Sequence, residues 1–521
     1  MPAIAGIIGR SDDAAVSRMR EAMNHRGEVD VSPTLTLERD PLGHRPLYFA
    51  RLVNGGVVYA TELRAILASE LVSNPKIDRV GLASAVWNGF VMSPATMVRG
   101  VESVLPGQRI TFDASGKELS RRFVWSMPRP AAQKTTDESE LRDALHDSVK
   151  RSLATNERLG LFLSGGIDSS SIVNIASKYA SGIETYCMAM EETSLDESEA
   201  AAAIANAIGT KHRTIRLSER DFVDRLDDAI ESLDQPTFDA LNQYHMCRAL
   251  RGEGIQTAVG GIGGDAIFGG DKTLRQLPKL RRLARWGRTI PFRVPLAGVF
   301  APKHSQQKWA KLPDVLKSNG DLLSLYQLTY ALFRPDFYEQ LVDGIRDGLP
   351  DPTRAWLAGE IAGHEAVETA AILETRCFVG ERLLRDADSV SASLSMELRS
   401  PLSDAKIIAA INRLPVAQKF MPVGIKPLLR RHGLAGLDPK LFDRPKSGFV
   451  LPFDRWIRKN LGTVMNSVMR DEPALSAIGL KPKAVATLWD DYQRGVPGIY
   501  WTRVWAIYVI TRWCQRYGLR V

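Results

Sequence analysis

The sequence predicts an α/β protein: a small β-rich domain, then a doubly wound parallel sheet that passes into a mostly helical C-terminal part. Three observations carry this. Residues 1 to about 125 consist of short β-like runs separated by turn signals such as Asn54-Gly-Gly, Pro106-Gly and Ala114-Ser-Gly. From about 137 the pattern changes: strand-like segments at 157–163, 184–190, 211–216 and 255–259 alternate with helical patterns at 168–180, 196–208, 220–232 and 238–253. That alternation is the mark of a parallel sheet with helical crossovers. Two of the predicted strands run directly into glycine-dense loops, which in such a sheet lie where a ligand binds, at the carboxyl ends of the strands.

The elements follow from this reading in order. The β-rich part spans 1–125, the polar stretch Met127-Pro-Arg-Pro-Ala-Ala-Gln-Lys-Thr-Thr136 reads as a linker, and the second domain spans 137–521. A length of 521 residues accommodates two or more domains, and 44% apolar with 25% charged residues is ordinary globular composition. No apolar run reaches the roughly 18 residues of a membrane span and no signal-peptide pattern opens the chain, so a cytoplasmic protein without membrane contact is expected. Four scattered cysteines, Cys187, Cys247, Cys377 and Cys514, lack metal-ligand spacing and read as buried thiols. Residues 272–293 carry eight Lys and Arg against no acid, a stretch that suits a solvated helix or an acidic partner; without nucleic-acid motifs, nucleic acid is not expected.

The first glycine loop is the most informative stretch. In Leu161-Phe-Leu-Ser-Gly-Gly-Ile-Asp-Ser-Ser-Ser171 a buried strand gives way to Ser164, Gly165 and Gly166, and a helix follows. The backbone amides of that turn, the helix N-terminus and the hydroxyls of Ser169 and Ser170 make a nest for a phosphate chain. Asp168 would repel such a guest unless a divalent cation lies between them, which suggests Mg2+. The second loop, Gly260-Gly-Ile-Gly-Gly-Asp-Ala-Ile-Phe-Gly-Gly270, carries one acid, Asp265, placed to share that cation. No Gly-x4-Gly-Lys-Ser/Thr loop occurs.

The first loop is similar to the pyrophosphate loop of the ATP pyrophosphatases, and nearly the whole chain resembles the asparagine synthetase superfamily. Beyond Ser164–Ser170, the resemblance rests on Gly263-Gly-Asp-Ala-Ile-Phe-Gly-Gly270, on Asp388 with Met396-Glu-Leu-Arg-Ser-Pro401, and on Lys426-Pro-Leu-Leu-Arg430 with Arg444-Pro-Lys-Ser-Gly-Phe449. It implies ATP and Mg2+ as cofactors. Leu163, Met188, Gly260 and Gly261 would hold adenosine, Ser164 to Ser170 the pyrophosphate, and Asp168 and Asp265 the metal. Lys446 matches the family's catalytic lysine, and Glu397 stands beside Arg399 as a substrate contact or as an ion pair shaping the site.

The N-terminal part resembles the family's glutaminase of the N-terminal-nucleophile type through Ala5-Gly-Ile-Ile-Gly9, His25-Arg-Gly27, Arg39–Tyr48 and Ala60–Arg64, but not in its nucleophile. Position 2 is Pro, position 3 is Ala, and no cysteine precedes Cys187. Only about a dozen residues separate Arg26 from Arg39, where the family places a long glutamine-binding insert. This half is therefore expected to be a shortened, inactive remnant. The second loop departs as well: the family's asparagine-forming members have a glutamate between the glycines, and this chain has Ile262, which relays no proton.

The reading that results is an ATP-dependent, AMP-forming amide ligase that adenylates a carboxylate without hydrolysing glutamine. Lasso-type peptide or natural-product macrolactam formation is the first substrate class, with a small molecule or a precursor peptide and its leader-processing protein as partners. Amidation of aspartate or of a polysaccharide or cell-wall precursor by ammonia is the alternative, and a non-catalytic scaffold is a third.

Overall fold

The structure, a computed structural model, describes residues 3–190, 196–288, 294, 308–345, 347–443 and 452–521. Its N-terminal part packs two small sheets face to face. One has the order β2-β1-β5-β4-β6, with β1 at Ala3–Ile8, β2 at Val29–Asp30, β4 at Tyr48–Arg51, β5 at Val57–Ala60 and β6 at Val101–Ser103. The other has the order β3-β7-β8, with β3 at Thr36–Glu38, β7 at Gln108–Phe112 and β8 at Glu118–Phe123. Alternate side chains of the strands, among them Ile8, Leu37, Phe49, Val57, Tyr59, Ile110 and Phe112, fill the layer between them.

The third sheet, in the second half, is entirely parallel and has the order β11-β10-β9-β12-β13, where β9 is Leu159–Phe162, β10 Glu184–Met190, β11 Lys211–Leu217, β12 Thr257–Val259 and β13 Glu397–Arg399. The chain winds outward from β9 to β11 and then crosses back to β12 on the other side of β9. The switch point of the topology is thus between β9 and β12, the two strands that run into the glycine loops. The α/β class and the helical C-terminal part expected from the sequence are present.

Three details differ from expectation. The strand β13 was not foreseen, because only three of its residues pair with β12. The helix expected at 220–232 is two helices, Glu219–Val223 and Leu226–Glu231, and the one expected at 168–180 ends at Ala176. The stretch read as a linker is strapped down: the Met127 N–H donates to Glu360 at 2.9 Å, the Thr135 N–H to the Arg413 carbonyl at 3.0 Å, and Lys134 Nζ to the Asn412 carbonyl at 2.9 Å.

The two halves also share one apolar core, in which Met19, Val58, Ile66 and Trp87 pack with Phe222, Tyr244, Tyr338, Trp456, Trp489 and Trp505. Buried charges staple the same interface. Arg26 is held by Glu62 and by Asp388, the latter at 2.7 Å, while Arg45 reaches Asp388 at 3.2 Å and Arg39 reaches Glu381 at 3.3 Å. Glu381 lies on a wide-turn π-helical segment, Glu374–Leu384, that continues as the helix Arg385–Ser393 carrying Asp388.

Candidate functional site

At the switch point lies a cleft of about 580 Å³, lined from both glycine loops. Its floor is the turn after β9. Gly165 takes φ +71°, which turns the chain sharply into the helix Ile167–Ala176, whose first turn carries Asp168. The Ser164 N–H donates to Ser169 Oγ at 3.2 Å, and Ser169 Oγ donates in turn to the Gly166 carbonyl at 3.3 Å. The loop is thereby fixed with a helix N-terminus aimed into the cleft, favourable for an anion.

The two acids meet on a lysine. Lys426 Nζ lies 2.5 Å from Asp168 Oδ2 and 2.8 Å from Asp265 Oδ1. Its side chain is 4% exposed. Burial alone would lower its pKa, but the charges of Asp168 and Asp265 overcome that and raise it, so the ammonium is retained. Two glycines make room for this cluster. A Cβ on Gly264 would come within 2.3 Å of Asp168 Cγ, and one on Gly270 within 2.1 Å of Lys426 Cε and 2.2 Å of Asp265 Oδ1. The glycine content of the second loop is therefore a packing requirement of the charged cluster.

A divalent cation fits this donor set. Two carboxylates converge on one cationic point, now held by an ammonium, beside an anion nest; Mg2+ is commonly bound through one or two carboxylates and completed by phosphate and water. Among the described residues no group of three or more His, Cys, Asp or Glu could hold a metal ion.

Of the residues singled out in the sequence, Ser164, Gly165, Gly166, Asp168, Ser169, Gly260, Gly261 and Asp265 line the cleft. Leu163, Ser170 and Met188 do not. Side chains alternate along β9, so Phe162 faces the cleft while Leu161 and Leu163 enter the opposite core. Met188 packs with Phe162, Tyr186 and Cys247, and Ser170 is fully buried in its helix. The same alternation separates Glu397 from the site: Leu398 reaches the cleft, whereas Glu397, half-exposed and 2.7 Å from Arg399, lines a second cleft of about 770 Å³ between the two halves. Lys446 lies outside the described residues.

Sequence reasoning passed over Lys426 as a site residue, along with Gln243, Met246, Arg430 and Phe442, which also line the cleft. The signal available was the motif Lys426–Arg430, but the lysine reaches Asp168 only because it adopts φ +56°, a left-handed conformation no residue pattern announces. Cys247 touches the cleft yet is inert, its thiol pushed up to about 12 by burial. Ile262 packs partly against the core, and its carbonyl accepts from Ser403 Oγ at 2.9 Å.

One buried acid stands behind the second loop. Glu374 accepts from Tyr330 Oη at 2.6 and 2.5 Å and is raised to about 8, first by burial and then by the negative charge of Asp271, whose N–H donates to the Asp265 carbonyl at 3.1 Å. In the unfolded chain a glutamate titrates near 4.5, so between about 4.5 and about 8 the folded protein binds more protons than the unfolded one. Stability must then fall as pH rises through that window. Glu374→Gln is expected to flatten this dependence, read as urea midpoints at several pH values; an unchanged slope would show that Glu374 is ionised in the folded protein.

Comparison with known proteins gives a consistent result. A family model described as asparagine synthase matches residues 140–515, and one described as a glutamine amidotransferase domain matches residues 29–124. A protein named putative asparagine synthetase [glutamine-hydrolyzing] from Mycobacterium tuberculosis is 29% identical over 82% of this chain and 66% of its own. Asparagine synthetase [glutamine-hydrolyzing] 1 of Bacillus subtilis is 24% identical over 83% of this chain and 68% of its own, and the amidase chyE of Penicillium rubens is 24% identical over 74% and 62%. The chain thus spans about two thirds of the length of these relatives. Among the described residues no helix is long and apolar enough to cross a membrane.

Proposed function

Because the chain belongs to the asparagine synthase family, we propose that it is an ATP-dependent, AMP-forming amide ligase that works without hydrolysing glutamine. The observation that carries this reading is the pair Asp168 and Asp265, brought onto one cationic point beside the Ser164–Ser169 nest at the switch of the parallel sheet. The nest binds the β- and γ-phosphates of ATP as a unit and leaves the α-phosphorus open to attack. Asp168 and Asp265 would hold Mg2+, which when bound neutralises phosphate charge. Lys426, within hydrogen-bond distance of both acids, is placed to pair with the departing pyrophosphate. A substrate carboxylate attacks the α-phosphorus to give an acyl-adenylate, and an amine then displaces AMP to form the amide. Lys446, through its match to the family's catalytic lysine, stabilises the charge that develops on the phosphoryl group.

The amine comes from the substrate and not from glutamine. No cysteine precedes Cys187, and β1 is built from Ala, Ile and Gly alone, paired on both sides by β2 and β5. Ile262 offers no proton acceptor beside the nucleotide, a deficiency tolerable for an amine tethered in the same molecule as the carboxylate, because tethering supplies a high effective concentration. Macrolactam formation in a peptide or related natural product is the substrate class this favours, with the peptide itself as the partner.

The test is a product assay. With candidate peptides bearing a free carboxylate, the protein is expected to release AMP and pyrophosphate, and with glutamine it is expected to release no glutamate. ADP as the nucleotide product, or glutamate release by the purified protein, would overturn the proposal.

A further inference from the structure

The basic stretch singled out in the sequence folds as the helix Thr273–Gly287, which leaves the second glycine loop directly: Lys272 follows Gly270, the residue that backs Lys426 and Asp265, by two positions. The helix buries Thr273, Leu274, Leu277, Ala284 and Gly287. Apart from Arg285 and Arg288, its exposed residues form one stripe. At about 100° per residue, Lys272, Arg275, Lys279, Arg282 and Trp286 fall within an arc of about 80° and extend for about 21 Å. All five are exposed, and Trp286 at the far end is 67% exposed. Lys272, Arg275, Lys279 and Arg282 make no ion pair with any described acid, and the sequence supplies none between 272 and 293.

A row of four uncompensated cations is unusual here, where most exposed arginines have a carboxylate partner, as Arg51, Arg121, Arg158 and Arg213 do. Like charges at helical spacing repel one another and lower helix stability, so the row is a cost unless an anion sits on it. We propose that this stripe is a docking surface for an acidic segment of a peptide whose carboxylate enters the nucleotide cleft. The assignment rests on the peptide-ligase reading above. Two features select a peptide. The stripe starts at the loop that forms the cleft wall, and it matches about six residues of extended chain at roughly 3.5 Å each. A membrane surface would need an apolar flank, and Trp286 is the stripe's one large apolar side chain. A single-stranded nucleic acid would need aromatic platforms between the cations, and there are none.

The experiment measures binding by the full-length protein of a fluorescein-labelled hexaglutamate peptide, by anisotropy, at about 50 and about 300 mM salt. The same peptide is then tested against R275E/K279E/R282E and against R275Q/K279Q/R282Q. Binding that weakens with salt, by about tenfold or more in the reversed variant and by less in the neutral one, is expected. ATP binding, measured by equilibrium dialysis, should stay as in the unmodified protein and shows that the variants are folded. Hexaglutamate binding that is absent, or equal in all three proteins, would overturn the proposal. So would tighter capture, by the same residues, of phosphatidylglycerol-containing vesicles or of an oligothymidylate. Because the readout is binding, it is separable from the reading it rests on: binding without AMP formation would leave the surface and remove the ligase, and AMP formation without binding would do the reverse.

Discussion

Asp168→Asn is expected to reduce carboxylate-dependent exchange of pyrophosphate into ATP by about 10²–10³-fold, the loss typical of removing one electrostatic element from a transition-state site. The substitution keeps shape and removes charge. Asp168 lies in the first turn of the helix Ile167–Ala176, facing the cleft, with Lys426 Nζ at 2.5 Å. Without its charge only Asp265 remains to attract a cation, and the ammonium of Lys426 competes for that single carboxylate. Asp265→Asn, which leaves Asp168 as the single carboxylate beside Lys426, is expected to lose as much. A defect in folding would look similar in the exchange assay, so urea midpoints are measured alongside. Exchange at the level of the unmodified protein in either variant would remove the pair from the catalytic machinery.

Arg26→Met is expected to have the largest effect on stability, up to about 3–5 kcal/mol, because it removes a buried cation that two carboxylates share and leaves Glu62 only His25 and Arg64, and Asp388 only Arg45. Glu62 is fully buried and Asp388 nearly so, and Arg26 bonds to both with a side chain that is itself 4% exposed. Burial disfavours the Arg26 cation, but the charges of Asp388 and Glu62 outweigh it and raise its pKa; conversely Glu62 is held below the usual carboxylate range by Arg26 against its burial. Methionine fills the volume and supplies no charge. The surface pair of Arg10 and Asp12 provides the contrast: Arg10→Met should leave the urea midpoint where it was. A small effect of Arg26→Met would mean that water reaches Glu62 and Asp388 when the arginine is gone.

The sheet was legible wherever apolar runs were long enough to be bounded by turns. The segment 184–190 is the strand β10 end for end, and the glycine loops were placed at the carboxyl ends of β9 and β12 because each followed such a run. What could not be read is set by distance along the chain. The strand β13 forms from residues 397–399 against β12, a partner about 140 positions away, and three residues carry too short a period to register. The alternation along so short a strand is equally hidden: Leu398 faces the nucleotide cleft, while Glu397, read as a substrate contact or as an ion pair with Arg399, makes that pair at 2.7 Å in the neighbouring cleft. Lys426 was missed for a related reason: its role comes from a backbone turn at φ +56° that carries it over Gly270 to acids 161 and 258 positions earlier. The stretch 127–136 carries no helix or strand, and what the sequence does not show is that its backbone is hydrogen-bonded to Glu360 and Arg413 of the second half.

The apolar core common to the two halves has a consequence for how this chain can change over time. Met19, Val58, Ile66 and Trp87 bury the same aromatic cluster that supports the C-terminal helices. The segment 3–123 is therefore tied to the rest of the chain by packing: trimming it would open a core that also holds helices of the second half, Tyr244 of Ala240–Gly252 among them. Surface positions of 3–123 can therefore vary freely, whereas a change on its inward face is felt in the second half, because side chains of both fill the same core.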